Sequence, residues 1–219
     1  MSSHPSISQP LSYDRTISAY FFWLIVVMCL TLATAVILYG EPFTWDYAFS
    51  DLGSTATWEG KVNAASGLVF TIGGLTCGWI MLHIWAAYTG EIRFSRQKTK
   101  RNLGALGMTG YLLSSVPNSQ HHIVHTIGAV CTFASLVLFT VIYYFELRQT
   151  MSAWRFVLEM AGLWAVVLTY AVAFFADWPS KQLFQKLCLI GVYYTVLRAV
   201  NLGEERFRLR DALRVVRSF

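Results

Sequence analysis

The sequence predicts an all-α, polytopic membrane protein, a bundle of six transmembrane helices with both termini in the cytoplasm. Three observations carry this reading. Hydrophobic residues fill 55% of the 219 positions and charged residues only 13%, against roughly 25% charge in a soluble domain. Several apolar runs reach the roughly 20 residues that a helix needs to cross a hydrocarbon core. With six spans and the N-terminus inside, only Lys61, Lys181 and Lys186 of the 17 Lys and Arg residues fall on the outer side, as the positive-inside rule requires.

The elements follow in order. Residues 1–16 are polar, hold Pro5 and Pro10, and read as a cytoplasmic tail. The first helix covers about residues 17–39 and stops at Gly40-Glu41-Pro42. It is too long for the apolar core of a signal peptide and no small-residue cleavage site closes it, so it reads as a retained span. An outer loop to about residue 60 carries Glu41, Asp46, Asp51 and Glu59. The second helix, about residues 62–88, contains Gly67, Gly73, Gly74 and Gly78, which admit a close neighbour.

Arg93, Arg96, Lys98, Lys100 and Arg101 form an inner basic loop, after which the third helix runs from about residue 103 to residue 116 and halts at Pro117. Helices four to six cover about residues 124–147, 156–176 and 182–200. Together, residues 17–200 make one transmembrane domain, with sequential helices expected to pack as antiparallel neighbours. In the tail, 201–219, Arg206, Arg210, Arg214 and Arg217 recur at helical spacing opposite Leu209, Leu213 and Val216. That pattern fits an amphipathic helix on an anionic cytoplasmic leaflet, or a solvated tail.

Composition also excludes several classes. The net charge of +5 is distributed as topology determinants, which argues against a nucleic-acid partner and leaves membrane lipids as the expected surroundings. Cys29, Cys77, Cys131 and Cys188 lie inside apolar runs without CxxC spacing, and read as small core residues. His83 lies near the inner end of its helix and the other helix-borne histidines near the outer end, so no pair faces across the membrane to hold a b-type haem. Glu159 is expected to pair with Arg155 one helical turn away or to snorkel to the interface, without a functional role.

The outer connections collect the chemistry. The first brings Ser50 and Asp51. The second brings Asn118, Gln120, His121, His122 and His125. The third brings Asp177 and Trp178, with Lys186 inside the sixth helix. A third helix of about 14 residues spans only about 21 Å against a core of roughly 30 Å. Pro117 is therefore expected below the outer interface, in a recessed polar pocket, since irregular backbone at that depth must be buried in protein or line a cavity.

Two chemistries fit such a pocket. Ser50, Asp51, Asn118, His121, His125, Asp177 and Lys186 are candidates to bind a lipid headgroup or small polar ligand, with Trp45, Phe49 and Trp178 on the rim. Alternatively His121 and His125, at i and i+4, are a usable zinc-ligand pair. Asp51 would then act as a third ligand or as general base on a metal-bound water, making Asp51 and His125 the catalytic candidates. The plainer reading of the histidines is that His121 and His122 are exposed at the interface and His125 is packed in the bundle.

With Ser50-Asp51-Leu52-Gly53 after the first helix, a proline-polar turn after the third and His125-Thr126-Ile127-Gly128 opening the fourth, the chain resembles the bacterial and archaeal six-helix membrane family described as domain of unknown function 998. The resemblance covers about residues 17–200 and implies an integral membrane protein whose S-D-L-G loop and fourth-helix histidine map to Ser50, Asp51, Leu52, Gly53 and His125. It implies no reaction. Members often carry an acid after the proline, where this chain has Asn118 and Ser119. Alkaline ceramidases are a more distant analogy, without matching helix number or histidine spacing. The order of expectation is ligand handling first, a zinc-dependent amphiphile hydrolase second, and a structural subunit of a membrane complex third.

Overall fold

A computed structural model describes residues 11–90 and 96–202, and all the helices of the chain named below lie within them. They are α1 (Leu11–Leu38), α2 (Ala64–Ala87), α3 (Gln97–Ser114), α4 (His122–Leu147), α5 (Ala153–Phe175) and α6 (Lys181–Leu202), with a short 3-10 helix (Phe49–Gly53) between α1 and α2. No strand occurs among the described residues; one isolated bridge joins Ala56 and Val62. Five of the helices are long and apolar enough to cross a membrane, α3 being the exception. The basic segment 206–217 lies outside the described residues.

The helices α1, α2, α3, α4 and α6 pack in a closed ring, each against the next and α6 back against α1. The helix α5 lies outside this ring against α6, with only a light contact to α4. Sequential packing therefore holds except at one step, where α6 rather than α5 takes the place beside α4. The burial of the two helices matches the exchange. On α6, Lys186, Cys188, Val192, Tyr193, Val196, Ala199 and Val200 are buried, whereas α5 buries only Leu163 and Ala173. Leu158, Trp164, Leu168, Val172 and Phe175 of α5 are exposed, as suits a lipid-facing surface.

Glycines set the spacing within the ring. A Cβ on Gly73 would meet the Thr31 side chain of α1 at 2.1 Å, and one on Gly74 would meet Ser115 Oγ at 2.2 Å. The α3–α4 approach is closer still, backbone to backbone. A Cβ on Gly128 would lie 2.3 Å from Ser114 N, and one on Gly110 2.5 Å from Thr132 N. Such contact recovers dispersion where apolar lipid offers no hydrophobic gain for helix association.

The third helix is longer than expected. It starts at Gln97 rather than about residue 103, because Lys100 is not a loop residue. Its ammonium sits 2.6 Å from Glu146 Oε2 of α4 and 4.5 Å from the Tyr143 ring, so the charge is paired on the helix flank. The 18 residues of α3 reach about 27 Å at 1.5 Å each. The Lys100–Glu146 pair at one end and the His125 contact with Val116 at the other lay α3 along the length of α4. The six residues gained, Gln97 to Asn102, are polar or charged, so the apolar part of α3 still begins at about Leu103.

Candidate functional site

The site forms where loop 39–63, the α3–α4 turn and the start of α6 meet. Its backbone is set from the first turn of α2. Asn63 Nδ2 donates to Leu52 O at 3.2 Å and Ser54 O at 2.9 Å, and Ser66 Oγ donates to Leu52 O at 2.9 Å. These bonds satisfy loop carbonyls that are buried away from water. Leu52 is fully buried, and Gly53 passes so close to Phe70 that a Cβ would lie 2.6 Å from the ring.

Asp51 closes this turn on itself. Its Oδ2 accepts from Ala48 N at 2.7 Å and from Trp58 Nε1 at 3.2 Å, so the carboxylate caps the 3-10 helix and holds the loop tip. Ser50 lies half-buried beside it. A second link joins loops. Thr55 N donates to Ser119 Oγ at 3.0 Å, and the two hydroxyls are also 3.0 Å apart. Ser119, one of the residues standing where the resemblance expected an acid, thus ties the α3–α4 turn to the first loop.

Lys186 is the most buried cation at this end, 3% exposed. Its ammonium donates to the carbonyls of Thr44 (3.3 Å), Trp45 (2.9 Å) and Tyr47, and lies 5.1, 5.9 and 5.7 Å from the rings of Phe43, Trp45 and Phe49. No carboxylate among the described residues forms an ion pair with it. Three carbonyl dipoles and three ring faces therefore replace its hydration, and the sixth helix grips the first loop through one side chain.

Three side-chain oxygens in this region are buried without a hydrogen-bond partner among the described residues, Tyr39 Oη, Glu41 Oε2 and Asn63 Oδ1. The other Glu41 oxygen accepts from Trp58 N at 2.9 Å. Burial, then the Asp51 and Glu41 charges, push the Tyr39 hydroxyl up to about 12. Tyr47 is raised for the same reasons, burial first and then Glu41, Glu59, Asp46 and Asp51. The region is thus acidic, aromatic and short of donors.

The remaining candidates are more dispersed. His125 is buried and its Nδ1 donates to Val116 O at 3.0 Å, capping the end of α3. His121 is exposed at the start of α4, and His122 Nδ1 pairs with Asn118 Oδ1 at 2.8 Å. Asp177 lies apart from them. It takes a left-handed φ of 49° after α5, with Asp177 N donating to Phe174 O and Trp178 N to Ala173 O, the bonding of a Schellman turn. Its carboxylate pairs with Lys181, which lowers its pKa.

Glu159 keeps its expected one-turn partner at the outer limit of an ion pair and gains a closer one. Arg198 Nη2 of α6 is 2.6 Å from its Oε1, and Arg155 only reaches 4.0 Å. Among the described residues no three His, Cys, Asp or Glu side chains gather as a possible metal site. His121 points to solvent, His125 caps a helix and Asp51 is a loop cap, so these residues as arranged do not fit a shared zinc. Sequence reading missed Tyr39, Glu41, Asn63, Ser66 and Ser119; only Asn63 and Ser66, capping-type residues at a helix start, carried a local signal. The chain matches no family model, no curated protein and no solved structure.

Proposed function

We propose that this integral membrane protein handles a lipid-like or small polar ligand at the end of the bundle formed by loop 39–63, the α3–α4 turn and α6. The observation that carries it is the set of buried, unpartnered oxygens, Tyr39 Oη, Glu41 Oε2 and Asn63 Oδ1, in an otherwise braced, acidic and aromatic surround. Such groups cost about 1–3 kcal/mol each unless something supplies a donor. An ammonium- or hydroxyl-bearing headgroup would do so, with Trp45 and Trp58 exposed to meet it.

This end faces outward in our reading, with six spans and both termini in the cytoplasm of a cell whose cytoplasmic membrane holds the chain. Support comes from the alignment of α3 along α4 and from the basic residues Lys100, Arg148, Arg155 and Arg198 at the opposite end. Membership of the domain of unknown function 998 family is proposed on the S-D-L-G loop and His125 alone.

Mass spectrometry of small molecules and lipids retained by detergent-purified protein tests the reading. Wild type is expected to retain a species that Tyr39→Phe/Glu41→Gln loses while remaining folded, since glutamine keeps an oxygen for Trp58 N. Identical retention in both proteins would refute it. Elemental analysis on the same samples addresses zinc directly: stoichiometric metal lost on His121→Ala/His125→Ala would favour the hydrolase instead.

A further inference from the structure

The opposite end of the bundle carries a second site. Glu159 of α5 is 10% exposed at its side chain and is held by three contacts: Arg198 Nε at 2.7 Å and Nη2 at 2.6 Å on Oε1, and the Tyr144 hydroxyl at 3.0 Å on Oε2. Arg155 of α5 stands 4.0 Å from the same oxygen, too far for a hydrogen bond, with its side chain 48% exposed. Among the described residues, two guanidinium groups therefore share one carboxylate, which balances only one of their charges.

Donors are also in excess. Arg198 uses Nε, Nη1 and Nη2 once each, on Glu159 and Tyr194, out of five N–H groups. Its side chain remains 40% exposed. The surroundings are those of a membrane interface. Trp154, next to Arg155, is 70% exposed and Tyr194, one turn before Arg198, is 58% exposed, the aromatic types found at headgroup level. The exposed apolar face of α5 continues from Arg155 through Leu158 along the helix, offering a track for an acyl chain.

We propose that Arg155 and Arg198 bind the phosphate of an anionic phospholipid, in the leaflet at the end of the bundle where α3 begins. Each guanidinium turns two parallel N–H groups to a phosphate oxygen pair, the recognition for which a planar fork is suited. Glu159 is a positioning residue: it fixes the Arg198 fork from behind through Nε and leaves its outer edge toward lipid. Basic clefts between helices near the cytoplasmic face are the usual form of such sites.

The test uses the full chain in detergent, titrated with short-chain phosphatidylglycerol, short-chain phosphatidylcholine or inorganic phosphate, and read by native mass spectrometry and thermal shift. Wild type is expected to bind phosphatidylglycerol in preference to phosphatidylcholine and to ignore inorganic phosphate. Arg155→Gln, which leaves the Arg198–Glu159 pair in place, should weaken phosphatidylglycerol binding about fivefold, the factor one basic residue near an anionic surface supplies. Its melting temperature without lipid should not change. Equal binding of both lipids, unchanged binding by Arg155→Gln, or an equal response to inorganic phosphate would each overturn the proposal.

Discussion

Replacing Lys186 with methionine should release the first loop from α6 without disturbing the helices. The ammonium makes three hydrogen bonds, to Thr44 O, Trp45 O and Tyr47 O. Bonds from a charged donor contribute about 1.5–3 kcal/mol each, and the flanking rings add about 1 kcal/mol more. Opposing this, an ammonium at 3% exposure gives up hydration worth several kcal/mol, a cost that methionine escapes. The difference is a net loss of about 2–4 kcal/mol, concentrated in residues 43–50. At about 2–4 °C per kcal/mol for a chain of this size, the melting temperature should fall by roughly 5–15 °C. A thiol-reactive dye reads this through Cys77 and Cys188, which are buried. Hydrogen exchange at residues 43–50 should rise, and in Lys186→Ala n-propylammonium should partly restore protection by refilling the cradle. Unchanged exchange in that segment, with an unchanged melting temperature, would refute the assignment of Lys186 as the tie.

Three further outcomes follow from the geometry. Gly128→Ala places a Cβ 2.3 Å from Ser114 N and should cost about 2–4 kcal/mol by forcing α3 from α4, whereas Gly162→Ala, with nothing within 4 Å, should be neutral or gain up to about 1 kcal/mol from helix propensity. Thermal unfolding of the two variants side by side checks both. Lys100→Met alone should destabilise by about 3–5 kcal/mol by stranding Glu146, while Lys100→Met/Glu146→Leu should recover most of that loss; equal losses in the single and double variants would sink the argument. For Tyr39 the folded pKa lies above the unfolded value of 10.0, at about 12. Its neutral form therefore stabilises the loop fully below pH 10, and that contribution disappears as pH rises toward 12. Tyr39→Phe should reduce this alkaline loosening, followed by Trp58 fluorescence, and should raise neutral-pH stability of the ligand-free protein by about 1–3 kcal/mol by deleting the unpartnered hydroxyl.

The zinc and ligand hypotheses began from the same residues, and the structure separates what those residues do. His121 and His125 are four apart in sequence, yet one is exposed and the other is a helix cap. Spacing along a helix fixes which face a side chain occupies but not whether a third ligand arrives there, and Asp51 instead turns back to Ala48 N.

Much of the architecture was legible in sequence because it depends on local properties. Apolar run length determines where helices can cross lipid, Gly40-Glu41-Pro42 ends α1 on backbone grounds, and glycines at 73 and 74 mark close approach whatever the neighbour proves to be. The start of α3 was not legible, since the polar run Gln97 to Asn102 reads equally as loop, and only the fold sets Lys100 beside Glu146, 46 positions away. Nor was the exchange of α5 and α6 in the ring, since both helices are apolar runs of similar length and only their packing partners decide which one is buried. The cradle of Lys186 lies furthest from local reading. Its partners are 139 to 142 residues distant and are backbone carbonyls, which every sequence possesses and only a tertiary fold can aim at one ammonium.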